Sequence, residues 1–132
     1  MNEDEAPVFL ERAQVDAAHN LSLATFGGLA GVRDEGGLES AIGAPQNVFY
    51  YESGDLFEVA AAYAFHIAEA QAYLDGNKRT AIACALAFFR RNGEPAKPKD
   101  PMDLYSDMIA VAAGELDRPG LAAKMRELFA GQ

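Results

Sequence analysis

The sequence has no second cysteine, no long apolar run and few cations, and each shortage removes a class of protein. With Cys84 alone, an intrachain disulfide framework and a cysteine-rich metal site are both excluded. Cys84 falls inside an apolar helical pattern, where a buried and unreactive thiol is the structural reading. No stretch of 18 apolar residues occurs, so no membrane-spanning helix is expected. The opening MNEDEAP is acidic where a secretory signal is basic and then apolar, so the expected location is cytoplasmic. Only 11 lysines and arginines stand against 20 aspartates and glutamates, a formal charge of −9. That balance argues against a direct nucleic-acid partner, since such proteins gain non-specific affinity from a basic face that neutralises phosphates. A phosphate-bearing ligand must therefore be held locally, by a few cations and backbone N–H groups.

What is present points to a single domain over 1–132. Half of the 132 residues are apolar, enough for a core without disulfide or metal staples. Apolar residues recur at spacings of three and four rather than two, so the expected fold class is all-α, a bundle of about six helices. Glu3 to Glu5 belong to an acidic tail over 1–7. The first helix spans about Leu10 to Thr25, with Val15, Ala18 and Leu21 on one face, and stops at Gly27 and Gly28. A second starts with Asp34 as N-cap, shows Leu38, Ala41 and Ile42 on one stripe, and is expected to end at Gly43 and Pro45. Residues 44–54 contain NVFYYES, whose β-branched and aromatic residues between turn formers suggest a small hairpin or extended loop. Asp55 opens a long helix so rich in alanine that most of its circumference must be buried. After LDGN a helix begins at Lys78 and closes at Asn92-Gly93, with Arg90 and Arg91 in its last turn as the helix dipole favours. Residues 94–101 read as a surface linker, and helices follow over about 102–114 and 119–129.

The turn within QAYLDGNKRTAI carries the chemistry. Asp75-Gly76 is a turn dipeptide and Asn77 a favoured N-cap. Lys78 and Arg79 then fall in the first helical turn, where the macrodipole and four unpaired N–H groups already present positive charge. Cations there are unfavourable by about 0.3 to 1 kcal/mol each. On the structural reading they are exposed and Asp75 compensates one of them. On the functional reading an anion, most simply phosphate, is held by the free N–H groups, Lys78 and Arg79, with Gly76 letting it approach the backbone. Asp75 then becomes a Mg2+ ligand, because that ion binds through one or two carboxylates plus substrate phosphates.

On these residues the chain resembles the Fic/Doc family, and within it the Doc-type toxins of bacterial toxin–antitoxin modules. The family signature is similar to H-x-F-x-D/E-G-N-G-R-x-x-R, and Doc-type members carry lysine for the third turn residue. Asp75, Gly76, Asn77, Lys78 and Arg79 match the Doc version, and Tyr73 stands at the aromatic position. Ile82 occupies the place of the second arginine, which holds the terminal phosphate in members that transfer AMP. The resemblance implies ATP and Mg2+ as cofactors, with Gly76, Asn77, Lys78 and Arg79 binding the nucleotide and Asp75 the metal. It further implies transfer of the γ-phosphate to a protein threonine or serine hydroxyl, with elongation factor Tu as the resembled target. It also implies an antitoxin partner whose C-terminal helix lies in a groove near the site.

One position departs from the family pattern. The motif histidine, four residues before the acid, is Gln71. A carboxamide cannot take up a proton near neutral pH, although it can orient a hydroxyl by hydrogen bonding. Losing a positioned base costs typically 10² to 10⁴ in rate. His66 is no obvious substitute, since five residues along a helix place it about 140° away from Gln71. His19, on the first helix, gives no geometric reason to be chosen. Tyr50, Tyr51 and Glu52 fall where the family places a flap that aligns a target peptide, or else they simply cover the core. Arg90 and Arg91 could meet phosphate, but the dipole accounts for them. Three readings stand: a Doc-like phosphotransferase slowed by Gln71, an AMP-transferring relative, and a catalytically silent nucleotide- or antitoxin-binding regulator.

Overall fold

A computed structural model of the chain describes residues 6–94 and 101–129. Among these residues the expected all-helical architecture is found: α1 (Arg12–Phe26), α2 (Glu35–Glu52), α3 (Leu56–Ala70), α4 (Asn77–Arg91), α5 (Pro101–Ala112) and α6 (Arg118–Phe129). The expected acidic tail up to Glu5 and most of the 94–101 linker lie outside the described residues. Pro7 is already buried, and Val8 exchanges hydrogen bonds with the side chain of Asn92 at the far end of α4.

The bundle is organised around α3. Asp55 and Glu58 form a reciprocal capping box that starts it. Val59 to Ala64, Ile67 and Ala68 are all buried, because α2, α4, α5 and α6 pack against this one helix. Its alanines let those neighbours approach closely, and the larger side chains Tyr63, Phe88, Leu104, Met108 and Leu121 fill the spaces between them. Tyr63 accepts a hydrogen bond from the amide of Leu10 at 2.8 Å, fixing the chain entering α1 to the centre of the core. Burial pushes the Tyr63 phenol up to about 12.

Residues 44–54 do not form the expected hairpin or extended loop. Helix α2 runs without interruption to Glu52. Leu38, Ala41, Ile42, Pro45 and Val48 are its buried residues, and the spacing from 38 through 41 and 45 to 48 is a helical stripe against α3. Strand propensity in NVFYYE yields to that stripe, since such propensity depends on context. Pro45 lacks the N–H that would close one helical bond, and its ring is buried. The helix ends where Ser53 turns left-handed and Gly54 donates to Val48 O at 3.0 Å. A Cβ on Gly54 would come within 2.6 Å of Val48 Cγ1, so this close approach needs glycine.

The extended segment lies earlier, over 27–34. Gly27, Gly28 and Gly31 adopt positive φ, and Val32 forms an isolated antiparallel bridge with Tyr73. Arg33 and Asp34 donate to Ala72 O at 2.7 and 3.1 Å, and Leu74 donates to Gly31 O at 3.0 Å. The α1–α2 connection is thereby paired along the stretch that leads into α4. Helix α1 also differs from expectation: Leu21 is exposed, and the buried face is Val15, His19 and Ser22. Val15 joins the hydrophobic core, while His19 and Ser22 lie against the 73–76 turn.

Candidate functional site

The site is assembled from the end of α3, the 71–76 turn, the start of α4 and the 27–34 segment. Helix α3 stops at Gln71, whose backbone is left-handed at φ 47° and ψ 43°. A non-glycine residue in that region is strained by about 1 to 2 kcal/mol. The Arg33 guanidinium donates from Nη2 to Gln71 O at 2.6 Å, holding the strained carbonyl in place. The Gln71 side chain is exposed and makes no hydrogen bond to another described residue. It stands free at the position where the motif keeps its histidine.

Tyr73 turns inward and is 1% exposed. Its phenol donates to Asp16 Oδ1 at 2.6 Å, and Asp16 also receives Arg12, which reaches on to Glu35 and Glu39 of α2. Burial, followed by this bond to a carboxylate, raises the Tyr73 phenol well above its ordinary value. Asn77 does not cap α4 with its side chain. The N-cap is Gly76, at φ 80°, and no side-chain cap bond forms there. The Asn77 carboxamide instead accepts from Tyr73 N at 3.0 Å and donates to Tyr73 O at 2.9 Å, stapling the turn across its neck. The requirement for glycine at 76 comes from its backbone angle, since a Cβ would meet its nearest neighbours only at ordinary contact distances.

The first amide of α4 with an internal acceptor is Thr80 N, bonded to Gly76 O at 2.9 Å. The amides of Asn77, Lys78 and Arg79 are left for an acceptor from outside. Asp75 does not compensate the cations beside it. Its Oδ2 accepts from the amide of Leu29 at 2.7 Å, and Oδ1 has no partner among the described residues. Neither Lys78 nor Arg79 is in an ion pair among the described residues. The Arg79 guanidinium lies 4.4 Å over the ring centroid of Phe26 at the end of α1, a contact that leaves its charge uncancelled.

These features fit a magnesium nucleotide. Among the described residues no group of three His, Cys, Asp or Glu side chains could hold an ion by itself. An exposed carboxylate beside a helix start with open amides is an arrangement that a Mg2+ ion can complete with phosphate oxygens and water. Ile82, at the place of the motif's second arginine, is half-buried and packs on the core.

His19 was missed by sequence reasoning. It is 3% exposed, its ring is stacked on Tyr73, and its Nε2 lies 2.7 Å from Asp75 O. A carbonyl only accepts, so Nε2 carries the proton and donates it, which leaves this nitrogen unable to act as a base. The one signal available was a histidine three residues before a serine on an otherwise apolar stripe. Arg33 was missed too, and only the chain pairing brings it to Gln71. His66 points elsewhere, as its helical angle implies: it sits among Phe65, Glu52, Glu69 and Arg118. Arg90 and Arg91 lie at the opposite end of α4, about 20 Å from the motif at 1.5 Å per residue. There they flank an open groove of about 370 Å³ lined by Leu10, Gln14, Ala17 and Ala87.

An all-helical bundle in which the glycine-containing 71–76 turn leads into α4 defines the class, and residues 9–89 match the model of the Fic/DOC family. The chain belongs to that family. Among curated proteins it is 39% identical over 114 residues to "Protein kinase doc" of Escherichia phage P1, covering 86% of this chain and 89% of that one. It is also 34% identical over 120 residues to "Toxin Doc" of Mycolicibacterium smegmatis, covering 89% and 90%. Among the described residues no helix is long and apolar enough to cross a membrane.

Proposed function

We propose that the protein is a Doc-like toxin of a toxin–antitoxin module that binds ATP–Mg2+ at Asp75 to Arg79 and passes the γ-phosphate to a protein threonine or serine hydroxyl. The observation that carries this reading is the start of α4, where, among the described residues, three amides without internal acceptors, two cations in no ion pair and one unpartnered Asp75 oxygen fall within five consecutive residues. The names of the relatives, a protein kinase and a toxin, support it.

In the proposed reaction the amides of Asn77 to Arg79 and the two cations hold the phosphate chain and absorb its charge, the largest contribution in phosphoryl transfer. Mg2+, held by Asp75 and phosphate oxygens, would neutralise charge that builds on the leaving ADP. The target hydroxyl oxygen bonds to the γ-phosphorus as the bond to the bridging oxygen breaks, ADP departs with that oxygen, and the hydroxyl proton passes to solvent water. Gln71, free and exposed, orients that hydroxyl without accepting its proton. The resembled target is elongation factor Tu, and the implied partner is an antitoxin helix that occupies a groove of the toxin.

The test is incubation of the purified protein with a bacterial lysate and ATP labelled at the γ or the α position. Label from the γ position supports phosphate transfer, and label from the α position moves the assignment to AMP transfer. A second reading, a catalytically silent regulator that keeps nucleotide or antitoxin binding, is favoured by the absence of a titratable group at Gln71. ATP binding with no label from either position would select it. A folded Lys78→Ala or Arg79→Ala variant with unchanged ATP affinity overturns the site itself.

A further inference from the structure

We propose that His19, which lies outside the motif, is a positioning residue: together with the Leu29 amide it clamps Asp75 so that the remaining carboxylate oxygen faces a divalent cation. Two independent contacts hold Asp75, one at each end of the residue. His19 Nε2–H donates to its main-chain oxygen at 2.7 Å, and Leu29 N–H donates to its Oδ2 at 2.7 Å. Both come from outside the turn, from α1 and from the glycine-rich segment after it.

The environment makes the His19 contact specific. The ring is 3% exposed and lies on Tyr73 with centroids 3.7 Å apart and planes 10° from parallel. It can neither swing to solvent nor tilt without leaving the stack. The position of a Cβ on Gly76 is 3.5 Å from His19 Cδ2, so the imidazole forms a wall behind the left-handed residue that begins α4. A buried polar ring at the foot of this turn is retained at a desolvation cost, and its one hydrogen bond among the described residues ends on the residue that needs orienting. Such an outer contact fixes the direction of a metal ligand without touching the metal.

The metal consequence rests on the nucleotide reading above, whereas the clamp itself rests on geometry, and the experiment separates them. His19→Phe keeps a ring on Tyr73 and removes the donor; His19→Gln keeps a donor and removes the stack. Amide hydrogen exchange is measured without nucleotide at Leu29 and over 76–79, and ATP affinity is measured with Mg2+ and with EDTA. In His19→Phe, exchange at Leu29 is expected to rise about tenfold and ATP affinity to fall about tenfold with Mg2+ alone, the loss of one hydrogen bond holding a charged ligand. His19→Gln recovers most of both.

Unchanged Leu29 exchange in His19→Phe overturns the clamp. Affinity lost equally with Mg2+ and with EDTA overturns its role toward the metal. If the unmodified protein binds no ATP at all, the nucleotide reading falls and the exchange measurement alone decides the clamp. Nitrogen-15 NMR of the unmodified protein needs no variant to fold: a proton on His19 Nε2 is expected, and a ring protonated on Nδ1 alone overturns the proposal.

Discussion

His19 lies flat on Tyr73, ring centroids 3.7 Å apart and planes within 10°, and this stack joins α1 to the turn from which α4 starts. Tyr73 is the aromatic of the motif, and its hydroxyl continues the connection through Asp16 and Arg12 to Glu35 and Glu39 on α2. The turn is therefore held from two helices that the motif does not include.

Tyr73→Phe keeps the stack and the burial and removes the bond to Asp16. Asp16 is partly exposed and retains Arg12, so the cost is that of one hydrogen bond to a charged group, about 1 to 2 kcal/mol. Urea unfolding should show a lower midpoint with an unchanged slope.

Gln71 supplies two expectations. Gln71→Gly relieves the left-handed backbone and should stabilise the fold by up to about 1 kcal/mol, read from denaturant unfolding. Under the proposed γ-phosphate transfer, Gln71→His supplies a base where the carboxamide would only orient, and γ-label transfer should rise by about 10² to 10⁴. A base works in its neutral form, so this gain should grow with pH through the ordinary histidine value, about 6.5.

Burial lowers the proton affinity of His66, and its Nε2 is buried with no partner among the described residues. As pH falls below about 6.5 the unfolded chain takes up the proton before the folded one does, so this group's effect is to reduce stability. His66→Phe should abolish that part of the acid slope in melting temperature against pH. Retention of the full slope would assign it to the carboxylates.

Burial pushes the Cys84 thiol up to about 12. At pH 8 a thiol reagent should label it only at the rate of global unfolding. The raised value contributes stability that is present below the ordinary cysteine range and is lost as pH rises toward 12. Alkaline melting curves of Cys84→Ala, set against the unmodified protein, should lack that component.

The alanine-rich stretch after Asp55 was legible as the central helix because apolar residues cover its whole circumference and Asp55 is a cap that needs only local sequence. Arg90 and Arg91 before Asn92-Gly93 were legible for the same reason. The 44–54 segment was misread because aromatic and β-branched residues suit a strand in isolation, and only α3 gives the helical stripe at Leu38, Ala41, Pro45 and Val48 something to pack on. Asn77 was assigned to a cap by composition, while its carboxamide had a nearer partner in the backbone of Tyr73.

By itself the sequence determined the helical class, the family and the contiguous motif from Gln71 to Arg79 on which the proposed phosphate site rests. Those depend on periodicity and on residues adjacent in the chain. Tertiary structure alone decided what surrounds that turn: the burial of His19 beneath it, the Leu29 amide on Asp75, the Arg33 guanidinium on Gln71 and the ring of Phe26 under Arg79. Each of those contacts closes across 38 to 56 residues of chain or places a cation on a ring from another helix. Such pairings follow from how packed elements come together in space, which no local pattern encodes.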